Sequence, residues 1–290
     1  MRRLELLVQE VRDSSDTNDL NAYSIYELMR YFNDGQKLIQ KIIFSSNNGS
    51  GNFQKFYDAV VPSNGVVPLP DDIYAKSAII DVGFVRTNNY FSVLDKLSYG
   101  ESSNIYGYAL INDQIIVSEQ NSVDALRFNY VYKLPVISYR LGKIASVDDV
   151  AKTVTFDAAT IIDDTDFSLR YDDYSVVDAK GNEIANSLLL DSFVGTVMTF
   201  DSSSDLSALV AGQYVVCGQY GTSHSHLPDE CEPFLMTYVQ RRIKDKISAS
   251  DAANESVFTS EEREDLKDLF ADNSKAPLRP AIIDNDYLGI

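Results

Sequence analysis

The sequence predicts an α+β protein. It has a helical core, made of an N-terminal helix and late C-terminal helices, a large inserted antiparallel β region, and an extended C-terminal tail. Three observations lead there. Apolar residues recur at helical spacing near both ends of the chain. From about residue 60 the period changes to two, with β-branched and aromatic residues broken by Asn, Gly and Ser turns. The last fifteen residues, "APLRPAIIDNDYLGI", carry two prolines and no helical period. The chain therefore divides into residues 1–60 (helical part of the core), 61–227 (β region), 228–275 (second helical part) and 276–290 (tail). Pro135 in "KLPVISY" marks a candidate subdomain division near residue 135.

The first strong element lies in "YSIYELMRYFNDGQKLIQKIIFSS". Ser24 and Glu27 have the spacing of a capping box, with Tyr23 and Leu28 at the positions of a hydrophobic staple. Ile25, Leu28, Met29, Phe32, Ile39 and Ile42 or Ile43 then mark one face, which predicts a helix over 25–45. The β segments follow as "AKSAIIDVGFV", "YGYALINDQIIVS", "ALRFNYVYKL", "ASVDDVAKTVTFD", "DYSVVDAKGNEIAN" and "GTVMTFD". Asp178 to Asn182 reads as a hairpin turn, with Gly181 free to take φ > 0. Helices return at "PFLMTYVQRRIKDKI", where Pro233 suits the first helical position and Leu235, Val239, Ile243 and Ile247 repeat every four residues. A second capping box, Thr259 with Glu262, opens the last helix.

Composition excludes several classes. No window approaches ~18 uninterrupted apolar residues, so no membrane span is expected. The start, "MRRLELLVQEVRD", is amphipathic and charged and lacks the apolar run of a signal peptide. Two cysteines without such a signal point to free thiols in a reducing compartment. A net charge of −18 argues against a nucleic-acid clamp, and suits a protein past which DNA moves without being gripped.

The stretch "CGQYGTSHSHLPDEC", Cys217 to Cys231, holds every cysteine and histidine of the chain. Cys217, His224, His226 and Cys231 have the donor chemistry of a zinc site, but the order Cys-x6-His-x-His-x4-Cys fits none of the common spacings. The residues read instead as a corner turned by Thr222, Ser223 and Ser225, with the cysteines as small buried apolar groups. "DDTDFSLRYDD", Asp163 to Asp173, lacks the glycine and terminal Glu of a calcium loop. "GSGNFQK", ending in Lys55, lacks the Gly-Lys-Ser/Thr of a phosphate loop. No Gly-x-Ser-x-Gly elbow accompanies the hydroxyls beside His224. On these spacings no residue is assigned a catalytic, metal-binding or cofactor-binding role.

The order of motifs resembles the head-to-tail adaptor (connector) proteins of tailed bacteriophages, particularly the short-tailed ones. A first helix with "ELMRYFNDGQKLI" leads to "VPLPDDIYAKSAIIDVGFV", then to "LRFNYVYKLP", and finally to "YVVCGQYGTSHSHLPDECEPFLMTYVQRRI". In the family an "LP-D" step commonly opens the first β segment, matched by Leu69, Pro70 and Asp71 or Asp72; an "LP-E-C" step opens a late helix, matched by Leu227, Pro228, Glu230 and Cys231. The resemblance covers roughly residues 20–250 and rests on the order of short motifs.

It implies a helical core interrupted by a β domain and a non-enzymatic role in a ring, typically of twelve copies, at the head–tail junction of the virion, assembled in the host cytoplasm. The implied partners are the portal protein, a tail (nozzle or hub) protein and neighbouring copies, with DNA passing through unread. The β region is larger than in a compact adaptor. In the family a terminal segment commonly docks on the portal, which here assigns that contact to Leu278, Pro280, Ile282, Ile283, Tyr287, Leu288 and Ile290. These apolar residues are too many for a solvated linker. Two other readings remain open on the residues alone: a metal-dependent enzyme centred on His224 and His226, and a β-rich receptor- or carbohydrate-binding virion module.

Overall fold

The computed structural model describes residues 2–14, 23–45, 51, 53–85, 91–97, 107–117, 125–160, 172–248 and 257–271. The protein is α+β, as its two periodicities require. Four helices are described: α1 (Leu4–Ser14), α2 (Ile25–Ser45), α3 (Glu232–Ser248) and α4 (Ser260–Ala271). The described residues form two compact units, one drawn from residues 1–42 with 135–266, the other from residues 43–134 with 267–271.

The first unit joins helices to a closed six-stranded barrel. Its strands are β9 (Arg140–Asp148), β10 (Thr153–Phe156), β11 (Asp173–Val177), β12 (Glu183–Val194), β13 (Val197–Phe200) and β14 (Tyr214–Cys217), in the order β10-β13-β12-β11-β14-β9. Closure follows from the pairing of β14 with β9, elements more than sixty residues apart. The barrel is filled by Val154, Phe156, Tyr174, Val176, Leu188, Met198, Phe200 and Val215, all at most 3% exposed. The register slips at Thr155/Phe156, where the Phe156 ring lies over Gly142; a Cβ there would sit 2.9 Å from the ring, so the glycine allows the corner. The β11–β12 connection is the turn expected at Asp178–Asn182: Gly181 has φ +87°, and the Asp178 carboxylate accepts the amides of Lys180 and Asn182.

Around the barrel, α2 and α3 lie side by side. Leu28, Met29, Phe32 and Ile39 of α2, and Leu235, Val239 and Ile243 of α3, are buried as the apolar periods predict; the Ile247 side chain lies outside the described residues. Gly35 is the contact point, because a Cβ there would stand 2.8 Å from both Leu235 and the Tyr238 ring. Lys246 grips both carboxylate oxygens of Glu27 at 2.7 Å, and the Tyr23 hydroxyl donates to the Ile243 carbonyl. This pairing alters the first capping box. The Glu27 amide donates to Ser24 Oγ, but the Glu27 carboxylate turns to Lys246 and Tyr31. The second box is complete, with reciprocal bonds between Thr259 and Glu262. Arg241 of α3 adds a two-pronged contact to the same Glu262 carboxylate. The start of the chain, read from sequence only as amphipathic, forms α1 and buries Leu4, Leu7, Val8 and Val11.

The second unit is two four-stranded sheets around one core. Sheet β1-β8-β3-β4 combines Gln54–Val60, Ala125–Val131, Ile79–Val85 and Phe91–Val93; sheet β2-β7-β6-β5 combines Val66–Pro68, Gln114–Val117, Gly107–Ile111 and Asp95–Lys96. Val82, Phe84, Leu126, Phe128 and Tyr130 from the first meet Val67, Tyr108, Ile115 and Val117 from the second. All pairs are antiparallel except β5–β6. Asn112 and Asp113, both with positive φ, make the two-residue turn between β6 and β7. Strand β1 starts six residues earlier than the change of period indicates. It is an edge strand with five exposed residues before its one buried residue, Ala59, so it shows no alternation to read.

Candidate functional site

Residues 217–231 carry the chain from the barrel to α3, and the segment is a junction of many elements. Thr222 bonds on both sides: its amide donates to Val136 O, and its carbonyl accepts from Ser138 N. Ser223 O accepts the Leu4 amide at the start of α1, and His224 bridges Arg3. Ser225 Oγ donates to Gln36 Oε1 of α2 and accepts the Leu227 amide. Ser175 of β11 closes the loop, donating toward Gly218 O and Gln219 O and accepting Gly221 N. Gly221 is obligatory, since a Cβ would collide with the Cys217 carbonyl oxygen. The hydroxyls therefore turn and anchor the chain, as their residue types predict.

The chemistry of the segment is quiet. Cys217 and Cys231 are free and fully buried, and burial pushes both thiols up to about 12, so neither supplies a thiolate at neutral pH. Ser223 and Ser225 face inward, while His224 is half-buried and His226 exposed. Burial, reinforced by Arg140 and Arg3, holds the His224 imidazole down at about 4, so it is neutral at pH 7. Its Nδ1 lies 3.0 Å from Ser223 Oγ, but that serine is 0% exposed, and a substrate has no approach to the hydroxyl. Among the described residues no group of three or more His, Cys, Asp or Glu side chains is placed to hold a metal.

Beside the corner lies a charged seam that sequence reading missed. Arg140 is 8% exposed, donates through Nη2 to Ala179 O, and lies 4.0 Å from the centre of the Tyr214 ring. Glu5 of α1 accepts the Arg140 amide through Oε1. Burial lowers the Arg140 pKa and raises that of Tyr139. Also missed was the buried polar stripe of α2, Asn33, Gln36 and Gln40. The Asn33 amide group donates to Ile137 O and accepts Ile137 N, and Gln36 donates to Pro135 O. Polar residues at positions i, i+3 and i+7 of an apolar helix face were the available signal.

Other predicted residues disperse. Lys55 is on β1 and pairs with Asp72 at 2.8 Å, the same carboxylate that accepts the Tyr130 hydroxyl. The "LP-D" step thus pins the turn after β2. Residues 163–171 and the tail residues Leu278, Pro280, Ile282, Ile283, Tyr287, Leu288 and Ile290 lie outside the described residues. A cleft of about 310 Å³ opens between the edges of the second unit's two sheets, with Lys76, Asp81, Asp95, Lys96 and Tyr108 in its lining. Among the described residues no helix is long and apolar enough to cross a membrane. No known family model matches the chain, and no curated protein matches it.

Proposed function

We propose that this chain is a structural protein of a tailed-phage virion, forming a ring that joins the portal of the head to the tail and lines the DNA channel. The observation that carries the reading is the ordered set of motifs ending in "SHLPDEC". That motif occupies the step from the last strand into α3, and the first long helix, α2, packs against α3. Two further features support it. A charge of −18 keeps the phosphate backbone from adhering to a channel wall. Secondly, the corner residues are occupied in holding elements together, which suits a part whose task is mechanical and which needs no cofactor.

In this role the C-terminal segment docks on the portal and the opposite face receives the tail protein. Two prolines favour an extended docking segment, with apolar side chains to lie along a groove or sheet edge. Co-sedimentation of portal particles with the full chain, and with a version lacking residues 277–290, tests this. The full chain travels with the portal, whereas the truncated one folds but stays behind. Equal binding of both removes the docking role.

A further inference from the structure

Sheet β1-β8-β3-β4 reverses the usual placement of charge. Edge strands normally carry charges that discourage further pairing, and central strands carry the apolar residues. Here the outer face of the central strand β8 shows Arg127 and Asn129, each bonded across the sheet to a carboxylate. The most exposed apolar side chains sit on the edges: Phe56 and Val60 on β1, and Val93 on β4, at 59, 82 and 61% exposure, against 44% for Ile80 on the inner strand β3. Strand β1 keeps an unbroken register from Gln54 to Val60, with no proline and no bulge. Its two charges, Lys55 and Asp58, are already paired within the protomer, to Asp72 and Arg127, and β4 carries none. Among the described residues no strand pairs with the outer side of β1 or β4.

Charge selects the occupant. A basic partner has the rest of an acidic surface to choose from and no reason to prefer these edges. Two copies of the chain, each at −18, repel over most of their surfaces and can approach only where charge is compensated. The direction of the strands fits as well. The pairs β1–β8, β8–β3 and β3–β4 are all antiparallel, so β4 runs opposite to β1. A second copy in the same orientation brings its β1 antiparallel to the first copy's β4 and continues the alternation.

Resting on the ring reading above, we infer that β1 of one copy adds to β4 of the next, so that the sheet runs on between neighbours. The two surfaces differ, so the contact is head-to-tail, the kind that closes into rings. With only three residues in β4 each contact is weak, and closure of the ring multiplies it.

Two substitutions on exposed positions test this: Val60→Lys blocks the β1 edge and Val93→Lys blocks the β4 edge. Far-UV circular dichroism and the melting temperature report that each variant keeps the fold. Sedimentation velocity of the full chain over a concentration series then reads assembly. The wild type forms higher assemblies, and each variant alone stays a single copy at concentrations at least tenfold higher. An equal mixture of the two variants forms dimers and stops there, because one compatible pair of edges survives. If Val93→Lys assembles normally while Val60→Lys does not, β1 pairs with β1 and the inference fails. If both assemble as the wild type does, the edges are not the contact, though the ring reading stands. A wild type that remains a single copy throughout overturns both.

Discussion

His224 stands where two arginines and a glycine turn crowd an imidazole, and its proton affinity carries a testable consequence. Its pKa is about 4 in the folded chain against an ordinary 6.5, so between those values the unfolded chain binds a proton that the folded chain refuses. Its share of stability is complete above pH 6.5 and is lost as the pH falls toward 4. We expect the urea midpoint to drop between pH 7 and pH 5, and to drop less when His224 and His226 are both replaced by Asn. At pH 7 the double variant keeps the fold; collapse there, or an unchanged acid response, contradicts this account. Glu262 has the same sign in a lower pH window. The Arg241 guanidinium, with Thr259, holds its carboxyl down to about 2, so its contribution is present above pH 4.5 and lost toward pH 2. The pair is partly exposed, and Glu262→Gln costs about 0.5–1 kcal/mol in urea denaturation. Residue types alone announced the turn at Asp178–Asn182 and the capping role of Thr259. They did not announce Arg140 on Tyr214, because β9 and β14 meet only through barrel closure.

At the scale of elements, α2 is the piece that ties the molecule's periodic elements to an irregular strand. Asn33 uses both ends of its amide on Ile137, in place of a neighbouring strand. Asn33→Ala leaves that buried N–H and C=O without this partner, and a loss on the order of 2–4 kcal/mol is expected. Gln240→Ala, on an exposed pair with Ser14, is expected to change stability by under about 0.5 kcal/mol. Gly35→Ala sets two effects against each other. Alanine favours the helix by about 1 kcal/mol. The added methyl meets Leu235 and the Tyr238 ring at 2.8 Å, and overpacking of that kind costs about 1–3 kcal/mol. The account expects a net loss in thermal melts, with α2 and α3 separating first. The helix bounds were legible because caps and apolar stripes are local signals. The use of Asn33 and Gln36 as backbone clamps was not, since their partners lie about a hundred residues away. Strand β1 was missed for the opposite reason: most of its residues are exposed, and an edge leaves no alternating pattern.

The molecule as a whole is read as one part of a larger object, in which the apolar tail and the exposed edges β1 and β4 both take partners. In the docking proposed above, burying the apolar side chains of the tail on a portal contributes roughly 5–10 kcal/mol before the ordering cost. Repeated around a ring, that becomes a firm attachment. The α+β class and the helical pieces follow from periodicity, but the proposed ring would be a property of surfaces that one chain does not display by itself. The direct measurement is electron microscopy of the full chain mixed with purified portal. The account predicts a closed ring of this protein, coaxial with the portal and open at its centre. Single copies that never gather on the portal axis, at concentrations where the portal itself is intact, contradict it.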